Sequence, residues 1–112
     1  MSGEKRVLLL LQDEMERDAI MTLLDEMGAS VTCVVSGEDA IQAVEETSWQ
    51  MLIMDSHAWS LLGVLKEIVN LSKLSTIVIM DTPQVAAIHG VTPLVRPIAV
   101  SRIRRLIQDL WH

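Results

Sequence analysis

The feature that most constrains this chain is a regular alternation of short apolar runs with segments of helical periodicity. The first run, residues 7–11, reads Val-Leu-Leu-Leu-Leu, and the segment after it carries apolar residues at helical spacing until Gly28. A continuous apolar run of this length is typical of a strand buried on both faces of a parallel sheet. Strands that alternate with helices over short connections predict right-handed crossovers and helices on both faces of the sheet.

The same alternation continues to the end of the sequence. The first helix is expected to bury Ala19, Ile20, Leu23, Leu24 and Met27, and to end at Gly28. Later strands are predicted at residues 31–35, 50–54, 76–80 and 94–95, with helices starting after Ser36, after Ser60 and at about Val100. The segment between the last two strands has room for about two helical turns, so the helix there is predicted to be short. The fold class is therefore α/β with five parallel strands.

Length and composition limit the class of protein. A chain of 112 residues, half of them apolar, predicts one domain over residues 1–112 with an ample core. No apolar run approaches the roughly 18 residues that span a bilayer, so no membrane association is expected. The single cysteine, Cys33, excludes an internal disulfide and a cysteine-based metal site. These features favour a cytoplasmic location.

The net charge of −6 is unevenly distributed along the sequence. Residues 1–50 hold 11 acidic and three basic residues, whereas residues 51–112 hold four acidic and six basic residues. The acidic balance argues against nucleic acid as a partner, since nucleic-acid binding needs a basic surface. The basic residues of "SRIRR", at 101–105, form only a small patch.

Polar residues directly follow several predicted strands. In a doubly wound parallel sheet, sites lie beyond the carboxyl ends of the strands. The residues at those positions are Gln12, Asp13 and Glu14, then Asp55, then Asp81 and Thr82, then Arg96 and Pro97. Asp55 has two interpretations: a reactive carboxylate, or a strand-end carboxylate that accepts hydrogen bonds from backbone amides.

Three stretches at these strand ends carry a family resemblance. They are "LIMDSHAWSLLG" at 52–63, "IVIMDT" at 77–82 and "VRPIAVSRIRRLI" at 95–107. Together they resemble the receiver domain of two-component response regulators, over essentially the whole chain. The resemblance implies a flavodoxin-like (CheY-like) fold with sheet order 2-1-3-4-5, and a phospho-acceptor at Asp55.

The resemblance also assigns supporting positions. Arg96 stands where the family has a lysine, and Pro97 matches the cis-proline that follows it. Asp81 falls at the Ser/Thr position, with Thr82 one residue late. Arg96 is expected to form an ion pair with Asp55 or Asp81. If Asp81 points into the site, its charge opposes a phosphoryl group on Asp55.

The chain departs from the family pattern after the first strand. Counting back from Gly28 places the family's acidic pair at Leu11 and Gln12, whereas Asp13 and Glu14 lie one and two positions late. A Mg²⁺ site, if present, would use Asp13, Glu14 and Asp55. The alternative is that Asp13 and Glu14 form an exposed first helical turn. Transfer of a phosphoryl group to a carboxylate needs a divalent cation, so the departures indicate a degenerate receiver.

Three candidate functions differ in how well they fit these features. The first is a pseudo-receiver: a non-enzymatic interaction module without a cofactor or small-molecule substrate, whose partner is a histidine kinase or an output domain. The second is a working phospho-acceptor that uses Mg²⁺ and Asp55. The third, a nucleotide-binding enzyme, conflicts with "QDEMER" at 12–17, which has no glycine and several acids where phosphate would bind. We favour the first, with Trp59 as either an apolar anchor for the partner or a core residue.

Overall fold

The computed structural model describes residues 5–55, 74–81 and 91–111. Strands and helices alternate through residues 5–55, as the sequence predicts. The elements are β1 (Arg6–Leu10), α1 (Glu14–Glu26), β2 (Ser30–Cys33), α2 (Gly37–Glu46), β3 (Met51–Asp55), β4 (Ser75–Met80), β5 (Val91–Val95) and α3 (Val100–Leu110).

The strands form one parallel sheet in the order β2-β1-β3-β4-β5, which confirms the predicted fold class and strand order. In the centre of the sheet, Val7 of β1 lies opposite Val31 of β2 on one side and Met51 of β3 on the other. The carboxyl ends of all five strands therefore meet at one edge, where the polar residues of interest are found.

The core has two layers because successive side chains of a strand point to opposite faces. Val7, Leu9 and Leu11 belong to the layer that α1 and α3 cover, whereas Leu8 and Leu10 belong to the layer under α2. The prediction that Ala19 is buried is wrong. Ala19 is exposed, because it lies at the border of the apolar face of α1 that Ile20, Leu23 and Leu24 form.

The predicted start of α2 and the predicted end of α1 are both confirmed. The Ser36 side chain caps α2 by accepting a hydrogen bond from the backbone N–H of Asp39 at 3.1 Å. After α1, Gly28 has φ +81°, a conformation that favours glycine. This turn lets the N–H of Ala29 donate to the carbonyl of Leu24 at 3.0 Å, which closes the helix.

Strand β5 differs from its prediction, since it starts at Val91 rather than at residue 94. It includes Pro93, which interrupts the strand pattern in the sequence. The reason is its position: β5 is an edge strand paired only with β4, so the missing N–H of proline can face outward.

Several sequence expectations lie outside the described residues. They concern Trp59, Thr82, the helix predicted after Ser60 and the short helix predicted between the last two strands. Within the described ranges, no helix has the length and apolar character needed to cross a membrane.

Candidate functional site

Asp55 is the last residue of β3 and lies at the centre of the carboxyl edge of the sheet. Its side chain is only 1% exposed, the deepest position of any acid among the described residues. One carboxylate oxygen, Oδ2, accepts a hydrogen bond from the backbone N–H of Gln12 at 2.8 Å. The hydrogen bond is of the kind that a strand-end carboxylate makes, and the position is also the one that the resemblance assigns to the phospho-acceptor.

The two positions that the resemblance assigns to metal-binding acids carry Leu11 and Gln12. Leu11 is 2% exposed and packs in the core layer under α1. Gln12 is exposed and contributes its backbone N–H to Asp55. The register pairs Leu10 with Met54, so Leu11 stands beside Asp55 along the sheet. A shift of β1 by one residue, which would bring Asp13 to the position of Gln12, is therefore not present.

Asp13 and Glu14 have local roles in α1. Asp13 is the N-cap residue, and its Oδ1 accepts a hydrogen bond from the backbone N–H of Glu16 at 3.0 Å. Glu14 is exposed and lies 3.5 Å from the guanidinium of Arg17 in a weak ion pair. The alternative interpretation of these two acids, an exposed first helical turn, agrees with this geometry.

Among the described residues, the side chains at the two positions for acidic ligands, Leu11 and Gln12, do not fit a Mg²⁺ centre. Mg²⁺ is usually bound by one or two carboxylates with waters and phosphate oxygens completing an octahedron. Residues 5–55, 74–81 and 91–111 contain no group of three potential ligands from His, Cys, Asp or Glu. Of the two further acids that the sequence offers, Asp13 accepts a hydrogen bond from its own helix and Glu14 lies beside Arg17.

Arg96 follows β5 and is joined to Pro97 by a cis peptide bond, in agreement with the resemblance. Its guanidinium forms a two-pronged ion pair with Glu16 of α1: Nε lies 2.9 Å from Oε2 and Nη2 lies 2.8 Å from Oε1. The third nitrogen, Nη1, donates to Oδ1 of Asp81 at 3.0 Å. The hydrogen bonds that Arg96 donates to Glu16, and then the one that it donates to Asp81, raise the pKa of Arg96 above its ordinary value. We call Arg96, Glu16 and Asp81 the ion triad.

The ion triad decides between the two pairs that the sequence predicts for Arg96. The expected pair between Arg96 and Asp81 is present, whereas the alternative pair with Asp55 does not form among the described residues. Asp81 is exposed and faces Arg96, so its charge is directed at the guanidinium.

The main partner of Arg96, Glu16, was not predicted. A signal was available, because Glu16 precedes Ile20 by four residues and Leu23 by seven, which places it beside the buried face of α1. An acid at that position, in the first turn of a helix that starts at the carboxyl edge, is expected to find a cation.

The capping role of Asp13 can be tested by measuring the stability of variants at this position. Replacing Asp13 with alanine removes the N-cap of α1, so we expect a loss of about 1 kcal/mol in the free energy of unfolding, measured by urea denaturation. Asp13→Asn keeps an oxygen acceptor and should retain most of the stability. Equal losses in both variants would contradict a capping role.

Comparisons with known proteins bear on the fold. No family model and no curated relative matches the chain. Among solved structures, it is similar to a response regulator receiver domain protein from Bacillus halodurans, with 24% identity, a TM-score of 0.84 and coverage of 96% of this chain and 97% of that one.

Two further solved structures are similar. One is the receiver domain of a sensor histidine kinase from Pseudomonas aeruginosa with a magnesium ion in its active-site cleft (17% identity, TM-score 0.82, 97% of this chain and 98% of that one). The other is a response regulator receiver protein from Sinorhizobium medicae (17% identity, TM-score 0.82, 97% and 95%). At these identities the likeness shows that the chain has the receiver-domain fold.

Proposed function

We propose that this chain is a pseudo-receiver: a signalling module of two-component or phosphorelay regulation that acts by binding a protein partner. The observation that carries the proposal is the ion triad. In the family that the chain resembles, the position of Arg96 carries a lysine, and its ammonium group supports the chemistry at the acceptor. In this chain, the guanidinium is bound on two sides by Glu16 and Asp81.

The surroundings of Asp55 support the same proposal. A phosphoryl group brings negative charge that a divalent cation must neutralise, and the two positions for its acidic ligands carry a core leucine and a glutamine. Arginine is also wider and more rigid than lysine, and it forms fork-like pairs with carboxylates. With its guanidinium held by two carboxylates, Arg96 would have to break three hydrogen bonds before it could contact a group on Asp55.

The proposed module is not an enzyme and uses no cofactor. Its partner is a histidine kinase or an output domain. In support, one of the similar structures, from P. aeruginosa, is the receiver domain of a sensor histidine kinase. Nucleic acid, membrane and small-molecule substrates have no role in the proposal.

The alternative function is a phospho-acceptor modified on Asp55 by a histidine kinase. One observation favours it: Asp55 is retained at the end of the central strand β3, with one oxygen aligned by the N–H of Gln12. This alternative requires Mg²⁺ and a rearrangement of Arg96, whereas the pseudo-receiver requires neither.

The two functions differ in their response to Mg²⁺ and to beryllofluoride, a mimic of a phosphorylated aspartate. For the pseudo-receiver we expect amide NMR signals of Gln12, Asp55 and Arg96 to keep their positions in millimolar Mg²⁺, with and without beryllofluoride. The physical reason is that the two positions for acidic ligands of the cation carry Leu11 and Gln12.

Two variants act as controls. Asp55→Asn removes the acceptor, and Asp109→Asn removes an exposed acid on α3, away from the carboxyl edge. Shifts in the wild-type chain that persist in Asp109→Asn and vanish in Asp55→Asn would establish a working acceptor and overturn the pseudo-receiver.

A further inference from the structure

Among the described residues, the two edges of the sheet differ in how open they are to a further strand. β5 forms one edge and contains Pro93, which has no backbone N–H to donate. β2 forms the other edge, and the stretch "SVTCVV" at 30–35 has no proline and no charged residue. Natural edge strands are commonly protected from pairing by charged residues, proline or a bulge. The register of β2 on β1 is regular, without a bulge, so β2 has none of these protections.

The hydrogen bonds of β2 show which of its backbone groups face outward. The N–H groups of Ser30 and Val34 donate to backbone carbonyls of the segment that contains β1, at 2.8 and 2.9 Å. In a parallel ladder, alternate residues of a strand direct their N–H and C=O groups to opposite sides. The N–H and C=O groups of Val31 and Cys33 therefore point away from β1, and β2 pairs with no other strand among the described residues. These groups offer two donors and two acceptors to an added strand.

The side chains at this edge are mainly apolar. Val31 and Cys33 are partly buried against the core layer that α1 covers, and Val34 is partly buried against the layer under α2. Val35, directly after them, is 79% exposed, one of three large apolar residues with such exposure in the described ranges. β-branched side chains fit a pleated, half-buried surface. An added strand would therefore cover apolar surface on both faces of the sheet.

The two helices that cover the sheet beside β2 are acidic. α1 contains five acids and one base, and α2 contains four acids and no base. Three acids of α1 pair with arginines, whereas no acid of α2 forms an ion pair in the described part of the chain. Burial raises the pKa of the Cys33 thiol, and the charges of Arg17 and Asp18, which lie near enough to act on it, lower and raise it respectively. Arg17 is the single base of α1 and pairs with Glu14, so the surroundings of the edge are negative.

We propose that the outer edge of β2 binds an extended segment of a partner protein as a sixth strand of the sheet. The segment is rich in β-branched residues and flanked by Lys or Arg, so that its backbone pairs with Val31 and Cys33 and its cations face the acids of α1 and α2. Main-chain hydrogen bonds supply affinity in this mode of binding, and side chains supply specificity. A second copy of the chain is disfavoured, because each copy carries a net charge of −6. The inference rests on the proposed function as an interaction module, and it names the surface and the chemistry of the partner.

A defined peptide tests the proposal on the full chain. The probe has alternating valines and threonines with two lysines at each end, and amide hydrogen exchange is followed by NMR. The outward N–H groups of Val31 and Cys33 should exchange rapidly in the free chain. We expect a dissociation constant of about 10–100 μM, so about 1 mM peptide should slow their exchange at least about tenfold, because exchange then comes from the free fraction. Ser101, in the first turn of α3, which has no side-chain cap, is the reference amide and should not change.

Two matched peptides separate the contributions to binding. One has glutamates in place of the lysines, and like charge with the acids of α1 and α2 should make it bind at least about tenfold more weakly. The other has two adjacent prolines at its centre. Because adjacent residues of a strand direct their N–H groups to opposite sides, this peptide loses a donor on each of its edges, and it should also bind at least about tenfold more weakly.

Variants of the chain locate the binding. Thr32→Lys and Val35→Lys each place a cation at an exposed position beside the outer edge of β2, and each should weaken binding of the lysine peptide about three- to tenfold. Val100→Lys is the matched control, because Val100 is also exposed but belongs to α3, the helix that follows β5 at the other edge of the sheet. At physiological salt its added charge is screened from β2, so the affinity should be unchanged. All three positions are on the surface, so the variants are expected to fold.

Several outcomes would overturn the proposal. They are unchanged exchange at Val31 and Cys33 up to about 1 mM peptide, equal binding of the glutamate peptide, equal binding of the proline peptide, or an equal loss in Val100→Lys. Self-association of the chain that protects these two amides without peptide would assign the edge to a second copy instead. None of these results depends on Mg²⁺ or beryllofluoride, so failure of the β2 edge and failure of the pseudo-receiver are distinguished by separate measurements.

Discussion

Replacing Leu11 with aspartate should lower the free energy of unfolding by about 4 kcal/mol, although this is the position where the receiver pattern has an acid. Leu11 is 2% exposed and packs under α1 in the core. The substitution removes a buried aliphatic side chain and also places a carboxylate in an apolar environment. Urea denaturation followed by circular dichroism measures the loss.

Two further variants separate the causes of that loss. Leu11→Ala removes the packing without adding charge, and it should cost about 2–3 kcal/mol. Gln12→Asp adds a charge at the second position of the acid pair, where the side chain is exposed, and it should cost less than about 1 kcal/mol. A Leu11→Asp variant as stable as Gln12→Asp would show that Leu11 is not a core residue and that β1 is shifted along the sheet.

The second large effect is expected at Arg96. Replacing Arg96 with methionine should destabilise the chain by about 1–3 kcal/mol, because Glu16 is half-buried and would lose its partner. Arg96→Lys keeps the charge but replaces the planar fork with a single ammonium group, so an intermediate loss is expected. Urea denaturation measures both.

The control for this experiment is an ion pair between α3 and α1. Arg104 contacts Glu26 at 3.1 Å, but both side chains are exposed, so Arg104→Met should cost less than about 0.5 kcal/mol. Combining Arg96→Met with Glu16→Gln should recover part of the loss, since no uncompensated carboxylate then remains. Equal losses at Arg96 and Arg104 would mean that the ion triad contributes no more than a surface pair.

The secondary structure was predictable because its signals are local. Apolar runs identified the strands, Ser36 and Gly28 marked a helix start and a helix end, and strict alternation predicted the parallel sheet. The error at β5 also has a local cause: Pro93 disfavours a central strand, and nothing in the neighbouring residues indicates that β5 lies at the edge.

For the residues of the site, the sequence predicted where they lie in the fold but not which of their side chains contact one another. The sequence placed Asp55, Asp81 and Arg96 at the ends of strands, and the parallel sheet brings those ends to one edge. It did not specify which carboxylate Arg96 binds, because an ion pair depends on distances between side chains that are remote along the chain.

The sequence by itself determined the order of strands and helices, the apolar core and the identity of the residues at the carboxyl edge, since these follow from periodicity and chain connectivity. Only the tertiary structure decided that Leu11 stands beside Asp55 and that Arg96 pairs with Glu16, 80 residues away along the chain. The reason is that both depend on the pairing of the strands and on the packing of α1 against the sheet, which bring together groups that share no local pattern in the sequence.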